Sequence, residues 1–492
     1  MRSFAPLLVV LVQVAEPDAP RLGLLEAVLL ALERDPNIAV AQARFDSSRG
    51  AATAAAGQFD PALSSSLTGD DSETPTSESA ASSSRSFTQS VGLTQQLRSG
   101  QSVSPSVELV RSEDPTAPAE ADNEATVSFE IRQPLLRGRG RAVTTAVETA
   151  AQREAAAAAL DLRHTVSQRV AAVASQYWLV KAAELDLAVL RASETSAAEL
   201  LATTRRLIAA DQVPAAEEVQ LEANLAAKQS AVIAGERSLF AARQALGREI
   251  GLDAAEIAAL ALPGEAFPET EPDEVPRDPL VALAVELRAD LQAAREREDA
   301  AQALLAAAEN ALSPQLDLVL TPSYSGFVSG DDGTSFFSPL YRNVPGLSST
   351  LSLSFLFPLG NHRAEGQLLQ SQAGRRQAGL FTELIVKGIG ADVPAAAQAV
   401  ESTALRLAKA REAVHLFERT VVNEEKKLRA GSSTLIDLIS QRDRLTAALQ
   451  TEVAAQLDLA LALLDLRFQT GSLLAGDTGS GAVDLARLTT LP

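Results

Sequence analysis

The amino-acid sequence predicts a mixed α/β membrane protein that contains two internal structural repeats. Three observations lead to this fold class. Segments from the two halves of the chain overlay without a gap, several short segments alternate apolar and polar residues, and two very long segments have the composition of helices. Each repeat is therefore expected to run as a helix, a β-region, a long helix, a break and a shorter helix.

The composition favours long helices over several globular cores. The chain has 492 residues, of which 46% are apolar but only 4% aromatic. Aromatic side chains supply much of the buried area of globular cores, whereas the abundant Ala and Leu build close-packed helices. The formal charge of -20, from 43 Lys and Arg against 63 Asp and Glu, excludes a general nucleic-acid binder. Without Cys, disulfides, thiolate metal sites and an acylated N-terminal Cys are excluded.

The N-terminus resembles a targeting segment. Arg2 precedes an apolar run, and Ala15 is a candidate for the last residue before cleavage, so residues 1–15 are predicted to be a signal peptide. A disordered apolar start is the alternative. Since no run of about 20 uncharged apolar residues occurs, no transmembrane helix is expected.

The internal duplication sets the domain boundaries. Placing Pro61 on Pro314 shifts the numbering by 253 and brings the preceding segments into register. The predicted segments are a first repeat at 22–251, a linker at 252–277, a second repeat at 278–471 and a C-terminal tail at 472–492. The linker and the tail are expected to pack outside the helices.

The β-regions lie within 61–134 and 314–358. Period-two alternation predicts strands at Phe87–Leu97, Val103–Leu109, Ala125–Arg132, Leu316–Leu320 and Leu347–Phe357. Polar loops are expected at Gly69–Ser86, Ser112–Asn123 and Ser329–Val344. Strands with one apolar face, joined by long polar loops, are what a transmembrane β-barrel requires, and a soluble antiparallel sheet is the alternative.

The helical segments have matching lengths. Arg141–Ala209 would form a helix roughly 100 Å long, and Arg363–Arg429 is about equal. Four other segments are half as long, namely Leu22–Gly57, Pro214–Gly247, Asp278–Leu312 and Thr434–Gly471. Two such helices placed end to end match one long helix, so an array of them would form a long α-helical cylinder. Pro394 predicts a kink near Gly390 in the second long helix.

Several motifs resemble those of the TolC family of outer-membrane efflux proteins, the outer membrane factors. The matching residues are Glu26-Ala27-Val28, Leu32, Asp35-Pro36-Asn37, Gln133 to Gly138, Arg288 to Leu291, Phe357 to Gly360 and Arg429 to Leu438. The order and spacing of these motifs, together with the duplication, make the resemblance specific over about residues 22–471.

The resemblance implies a long antiparallel α-helical barrel continuous with a transmembrane β-barrel shared by a homotrimer. It implies a passive channel-tunnel of a tripartite efflux or type I secretion system, located in the cell outer membrane with its helical tunnel in the periplasm. The implied partners are outer-membrane lipid, a periplasmic adaptor (membrane fusion) protein, and an inner-membrane efflux pump or ABC transporter. Family members typically contribute four strands each, but a further hairpin around Ser99 leaves the count at four or six.

The resemblance also implies a periplasmic constriction at the helix breaks, closed in the best-studied members by Asp rings with Tyr and Arg partners. Asp437 matches the first ring position and Ser440 occupies the second, while Glu217 is a candidate to add charge. Leu428 and Ser433 stand where the Tyr and Arg would be, so a latch of that kind is not expected. Asp437 can also be interpreted as an ordinary acid at a helix start, favoured by the helix dipole. The residues expected to dock the adaptor are Val213, Pro214, Gly431, Ser432 and Ser433.

The sequence gives no indication of an enzyme. His164, His362 and His415 lack the spacing of metal ligands, and no cofactor site is expected. Gly138-Arg139-Gly140 is interpreted as a turn from a strand to a helix rather than a phosphate-binding loop. A soluble helical rod with a β tip, acting as a structural or interaction protein, remains the alternative to a channel.

Overall fold

The computed structural model describes residues 21–77, 80–115, 120–211, 214–270, 274–341, 346–474 and 483–492. The predicted signal peptide at 1–15 lies outside the described residues. The helices are α1 (Leu24–Arg34), α2 (Pro36–Ala56), α3 (Arg141–Thr144), α4 (Ala146–Ala209), α5 (Ala216–Ile250), α6 (Ala254–Ala259), α7 (Arg277–Leu287), α8 (Ala289–Ala311), α9 (His362–Arg429), α10 (Leu435–Gln469) and α11 (Leu485–Thr489). The strands are β1 (Ala62–Ser77), β2 (Ala80–Gln96), β3 (Ser102–Glu113), β4 (Asp122–Pro134), β5 (Gln315–Ser329) and β6 (Gly346–Leu356).

Chain contacts divide the molecule into two units. Unit 1 comprises the described residues within 1–43, 159–292 and 384–492, and unit 2 those within 44–158 and 293–383. Unit 2 contains all the strands, which form a six-stranded antiparallel sheet in the order β1-β2-β3-β4-β5-β6. Among the two strand counts that the sequence left open, the described residues show six.

One face of the sheet carries short hydroxyl side chains. Neighbouring strands are joined there by hydrogen bonds between hydroxyl groups, for example Ser106 to Ser128 at 2.7 Å and Ser323 to Ser348 at 2.6 Å. Ser66 and Ser90 make the same contact across β1 and β2 at 2.8 Å. Because successive side chains point to opposite faces of a strand, this face alternates with an apolar one.

The opposite face of the sheet is mainly apolar, and on β1 and β6 its large side chains are exposed. On β6, Leu347 is 84%, Leu351 67% and Phe355 66% exposed, and on β1, Leu63 is 75% and Leu67 65% exposed. The alternation that predicted the strands of β4 and β6 is therefore the alternation of these two faces.

The predicted loop at Gly69–Ser86 is wrong. It forms the outer arms of β1 and β2, which pair from Gly69 with Phe87 to Pro75 with Ala81. Ser, Thr, Asp and Glu occupy both faces of these arms, so no apolar alternation identifies them as strands. Backbone pairing simply continues the ladder begun lower in the same hairpin. The loop expected at Ser329–Val344 includes a 3-10 turn at Ser338–Leu340, and residues 342–345 of it lie outside the described residues.

The strand-to-helix turn at Gly138-Arg139-Gly140 is confirmed. Gly138 has φ 81° and Gly140 φ 93°, a backbone conformation that glycine adopts readily. The amide of Gly138 donates to Asn310 Oδ1 at 2.7 Å, which ties this turn to α8 within unit 2. Helix α3 begins directly after it, at Arg141.

Two predicted helices are each interrupted once. The segment Leu22–Gly57 divides into α1 and α2, because Pro36 cannot donate a backbone hydrogen bond and begins the second helix. Asp35 caps the new start by accepting from the amide of Asn37 at 2.8 Å. The segment Asp278–Leu312 divides at Arg288 into α7 and α8. The starts of α7, α8 and β5 lie 253 residues after those of α1, α2 and β1.

The second long helix, α9, is not interrupted where the sequence indicated an irregularity. It spans 68 residues with Pro394 inside, compared with 64 residues for α4. The neighbourhood of Pro394 packs into the core of unit 1, where Ile389, Val393 and Ala397 are fully buried. Tertiary packing therefore maintains a helix that local propensity disfavours.

In unit 1 the predicted linker is attached to the start of α1 and to α4. Leu22 forms a parallel bridge with Pro263, and the Tyr177 hydroxyl donates to the carbonyl of Leu22 at 2.9 Å. The same hydroxyl accepts from the amide of Gly264 at 3.0 Å. Beside it, the fully buried Trp178 stacks on Phe267 with the ring centroids 5.3 Å apart.

Helix α10 is long and apolar enough to cross a membrane by length and composition, which the sequence analysis did not anticipate. Its apolar residues Leu459, Leu463 and Leu466 lie in the hydrophobic core of unit 1. It also forms ion pairs with neighbouring helices, for example Asp458 with Arg406. Core helices of this kind commonly reach such hydropathy.

Candidate functional site

The turn between α9 and α10 closes by backbone hydrogen bonds around one glycine. Gly431 has φ 72°, two residues beyond the end of α9, and its amide donates to the carbonyl of Leu428 at 3.0 Å. The amide of Ser432 donates to the carbonyl of Lys427 at 3.0 Å, which completes a C-terminal cap of the Schellman type. A Cβ atom at Gly431 would meet nothing within 4 Å, so this side of the turn is open.

The end of α4 resembles the end of α9, with Asp211 in the place of the glycine. Asp211 has φ 56° and also lies two residues beyond the end of its helix, and its amide donates to the carbonyl of Ile208 at 2.9 Å. Asp tolerates this left-handed conformation better than most residues. Pro214 is exposed just before α5, whereas Val213 lies outside the described residues.

Asp437 closes the start of α10 by a capping box. The Thr434 hydroxyl donates to Asp437 Oδ2 at 2.7 Å, and the Thr434 amide donates to the same oxygen at 3.2 Å. In return the Asp437 amide donates to the Thr434 hydroxyl at 3.2 Å. These contacts satisfy backbone groups that a helix start leaves unpaired. The carboxylate is exposed and therefore also accessible from solvent.

Hydrogen bonds stabilise two ionised carboxylates at this turn. The Thr434 side chain, and after it the Thr434 backbone amide, donates hydrogen bonds to Asp437. These bonds hold the pKa of the Asp437 carboxyl below its usual range. Hydrogen bonds from the Ser433 hydroxyl and then from Lys427 likewise lower the pKa of Glu424. The α9–α10 turn therefore carries two negative charges at neutral pH, and one of them, on Glu424, is paired with Lys427 at 3.0 Å.

The other constriction candidates occupy less distinctive positions. Glu217 is half-buried in the first turn of α5, and Ser440 is half-buried in the second turn of α10. The neighbouring residue Glu218 forms an ion pair with Arg205 at 2.7 Å, and Glu222 pairs with the same guanidinium at 2.5 Å. The placement of Asp437, Glu217 and Ser440 around a shared axis stays a prediction.

Two adjacent residues of α10 connect it to three neighbouring helices, and sequence reasoning missed both. Arg442 donates to Ser196 Oγ of α4 at 2.9 Å and to Glu425 Oε1 of α9 at 2.7 Å. Asp443 accepts from Lys228 of α5 at 2.6 Å. The adjacent opposite charges of Arg442-Asp443 were visible in the sequence, but their partners lie too far along the chain to be recognised from it.

Within the described residues, no group of three or more His, Cys, Asp or Glu is placed to hold a metal ion. His164 packs against Phe468 with ring centroids 5.8 Å apart, and burial lowers the pKa of this imidazole. His362 is exposed at the start of α9, 3.3 Å from Glu365.

This architecture is similar to that of known outer-membrane proteins. The family model described as outer membrane efflux protein matches residues 280–472. No curated protein matches the sequence. Among solved structures, the Campylobacter jejuni CmeC outer membrane channel is 14% identical with a TM-score of 0.64, covering 91% of this chain and 85% of that one.

Two further channels have the same fold. The outer membrane protein VceC from Vibrio cholerae is 17% identical with a TM-score of 0.64, covering 91% of this chain and 96% of that one. The open-state MtrE outer membrane channel of Neisseria gonorrhoeae is 17% identical with a TM-score of 0.61, and the coverages are 91% and 88%. These matched proteins are channels rather than enzymes.

The chain therefore has the fold of outer-membrane channels. The resemblance to the outer-membrane efflux family is confirmed, by the family match over residues 280–472 and by a common fold over 91% of the chain.

Proposed function

We propose that this protein is the outer-membrane channel-tunnel of a tripartite efflux or type I secretion system, a passive conduit from the periplasm or an inner-membrane pump to the exterior. The observation that carries the proposal is the two-faced sheet of unit 2. Its apolar face exposes Leu347, Leu351 and Phe355, and its other face is lined by hydroxyl groups. An apolar outside and a polar inside are the requirements for a water-filled barrel in lipid.

Closure of the barrel requires several copies of the chain. β1 and β6 are the two edges of the sheet, and their backbone groups would remain unpaired in lipid. In a homotrimer, β6 of one protomer would pair with β1 of the next, so that three copies pool eighteen strands. A barrel of that size leaves an aqueous channel.

The internal duplication supports the same architecture. The helices α7 and α8 and the strand β5 start 253 residues after α1, α2 and β1. Beyond the ends of α4 and α9, Asp211 and Gly431 likewise adopt the left-handed conformation, each two residues after its helix. We infer two structural repeats per protomer, and hence a helical tunnel of long and half-length helices continuous with the barrel.

The two helix turns are the proposed docking points for a periplasmic adaptor protein, which would connect the channel to an inner-membrane efflux pump or ABC transporter. Gly431 and Ser432 are exposed and small, and they permit close approach of another helix turn. Ser433 is half-buried, and its hydroxyl donates to Glu424. Asp437, with Glu217 and Ser440, is the proposed constriction of the tunnel entrance in the periplasm.

The test of the proposed function is fractionation combined with crosslinking in native membranes. We expect an outer-membrane protein that requires detergent for extraction and that is trapped as a trimer. A soluble species that salt extracts would support the alternative of a soluble helical rod and would contradict the proposed channel. A monomer in mild detergent with intact strand content would instead contradict only the shared barrel.

A further inference from the structure

Residues 331–341, which follow β5, fold back over the apolar face of the sheet. We name residues 331–341 the strap. Phe336 of the strap is buried in a small hydrophobic cluster with Leu109 of β3 and Ala125 of β4. Its ring also lies against Phe87 of β2, with the centroids 5.5 Å apart. Phe336 therefore places the strap over the apolar face of three neighbouring strands, β2, β3 and β4.

Polar contacts at the strand ends hold the base of the strap. The carboxylate of Asp331 accepts from the amide of Ala121 at 2.8 Å, and Arg111 lies 3.7 Å from the same carboxylate. Asn123 is completely buried, and its amide group donates to the carbonyl of Gly330 at 2.9 Å. A buried amide bonded to the backbone fixes where the chain leaves β5.

The strap also has an internal structure. The amide of Ser335 donates to Asp332 Oδ1 at 2.7 Å, and the Ser338 hydroxyl donates to the carbonyl of Thr334 at 2.7 Å. A 3-10 turn at Ser338–Leu340 follows. These local bonds satisfy backbone groups that a loop on an apolar surface would otherwise leave unpaired.

The sheet leaves room for the strap at one residue. Gly326 of β5 faces the strap, and a Cβ atom there would overlap the carbonyl of Pro339. Gly326 pairs with Ala125, so two of the smallest side chains lie under the crossing point. The sequence at this point of the sheet is therefore fitted to a strap that lies close to the strands.

The outward side of the strap is apolar and aromatic. Tyr341 is 69%, Phe337 49% and Leu340 39% exposed. Phe337 stands edge-on to the buried Phe336, with their centroids 5.0 Å apart, so the exposed ring is backed by a fixed one. Exposed aromatic rings held in this way form a surface rather than a loose loop.

The position of the strap along the strands indicates that its exposed side chains contact a membrane interface. On β5 the apolar face runs from Leu316 to Tyr324, about 27 Å along the strand, which at the usual tilt of barrel strands spans about 20 Å of the lipid band, itself about 25 Å tall. Gly326 and the strap lie just beyond Tyr324, and the carboxylates of Asp331 and Asp332 follow at the strand ends. Across a membrane interface, an apolar band is followed by aromatic rings and then by charged groups. The sheet and the strap show the same order.

We propose that the strap is an interfacial anchor, whose Phe337, Leu340 and Tyr341 lie among the lipids at the boundary between headgroups and acyl chains. The inference rests on the proposed function, because it requires the sheet to lie in a membrane. It adds an aromatic contribution to the barrel that comes from a loop rather than from the strands. Burial of these side chains in the boundary region would fix the height of the barrel in the membrane.

Site-directed spin labelling tests the proposal, since the chain has no native Cys. The variants Phe337→Cys and Tyr341→Cys would be labelled in vesicles of phosphatidylethanolamine and phosphatidylglycerol. Collisions with oxygen, which enters lipid, are compared with collisions with a water-soluble nickel chelate. Leu351→Cys on the apolar face of β6 and Ser352→Cys on its other face are the matched controls.

We expect both strap labels to favour oxygen over nickel as the Leu351→Cys label does, at a shallower depth. Nickel accessibility equal to that of Ser352→Cys would place the strap in water and overturn the anchor. Protection from both reagents would show a protein partner or a second copy of the chain instead, and also overturns it. If the Leu351→Cys label itself proves accessible to nickel, the sheet is not in lipid and the proposed function fails.

A fluorescence measurement gives an independent result. The variant Phe337→Trp should be quenched in vesicles that contain brominated lipid. The wild type, whose single Trp178 is fully buried, should not be quenched. Equal quenching of variant and wild type would contradict the placement of Phe337 among lipids.

Discussion

Lys228 Nζ of α5 lies 2.6 Å from Asp443 Oδ1 of α10, and this ion pair joins two helices that are more than 200 residues apart in the chain. The Lys228 side chain is only 19% exposed. The preceding residue, Arg442, connects α10 to α4 and α9 through Ser196 and Glu425. One turn of α10 thus fixes its position against three neighbours.

Reversing one charge should loosen α10 at this point. The variant Lys228→Glu places two carboxylates together, and because the pair is partly exposed we expect a loss of about 1 kcal/mol. If the helices line a tunnel, single-channel conductance in planar bilayers should rise or become unstable. The double variant Lys228→Glu/Asp443→Lys restores opposite charges and should recover the wild-type conductance. Equal behaviour of the single and double variants would show that the pair does not position α10.

The parts of the fold that were predictable are those in which burial imposes a period. Alternation identified β4 and β6 because one face of each strand is apolar. The outer arms of β1 and β2 were missed because residues 70–77 are polar on both faces and only backbone pairing holds them. The division between α1 and α2 had a readable signal, since Asp35-Pro36 is a typical cap followed by a first helical residue.

The candidate site was predictable in position but not in its contacts. The sequence indicated a turn at Gly431 and a helix start at Thr434, because glycine and threonine have local roles there. The pairing of Lys228 with Asp443 depends on tertiary packing and leaves no local trace. The same holds for the strap, where a Phe-Phe pair within a polar loop does not reveal that it folds onto β2 and β3.

The α9–α10 turn should lose order in acid. The Asp437 and Glu424 carboxyls both have a lowered pKa in the folded chain, so their stabilisation is complete above the ordinary values of 3.8 and 4.5. It is lost as the pH falls through the lowered values. A spin label on Ser432→Cys should therefore become more mobile in that range. The control Glu424→Gln/Asp437→Asn should show no such pH dependence, and an unchanged wild-type spectrum at low pH would contradict the assignment.

A large side chain at Gly431 should leave the folded structure intact but should abolish export. Since a Cβ atom there meets nothing, the structural cost of Gly431→Arg is backbone strain alone, about 1–2 kcal/mol. If this turn docks an adaptor, export should be lost while trimers and membrane insertion persist.

The matched control is Gly431→Asn, which adopts the left-handed conformation more easily and adds less bulk. It should retain most export, measured as accumulation of a fluorescent efflux substrate in cells. Normal export by Gly431→Arg would remove the docking assignment, whereas loss of trimers in both variants would show that the strain is structural.

Asp437 has two possible roles, as a helix cap and as a charge at the tunnel entrance, and substitutions at two positions separate them. Three symmetry-related carboxylates in a narrow ring would attract cations and repel anions, so Asp437→Asn should reduce the cation-to-anion permeability ratio by about twofold or more. Thr434→Val removes the hydroxyl of the capping box at a cost of about 1 kcal/mol but keeps the carboxylate. Its permeability ratio should stay that of the wild type.

A second control, Asp443→Asn, removes one negative charge that is paired with Lys228 instead. Reversal potentials of single channels in a salt gradient measure all three variants. If Thr434→Val changes the potential as much as Asp437→Asn does, the helix start matters through its geometry. If Asp437→Asn leaves the potential unchanged, Asp437 acts only as the cap of α10.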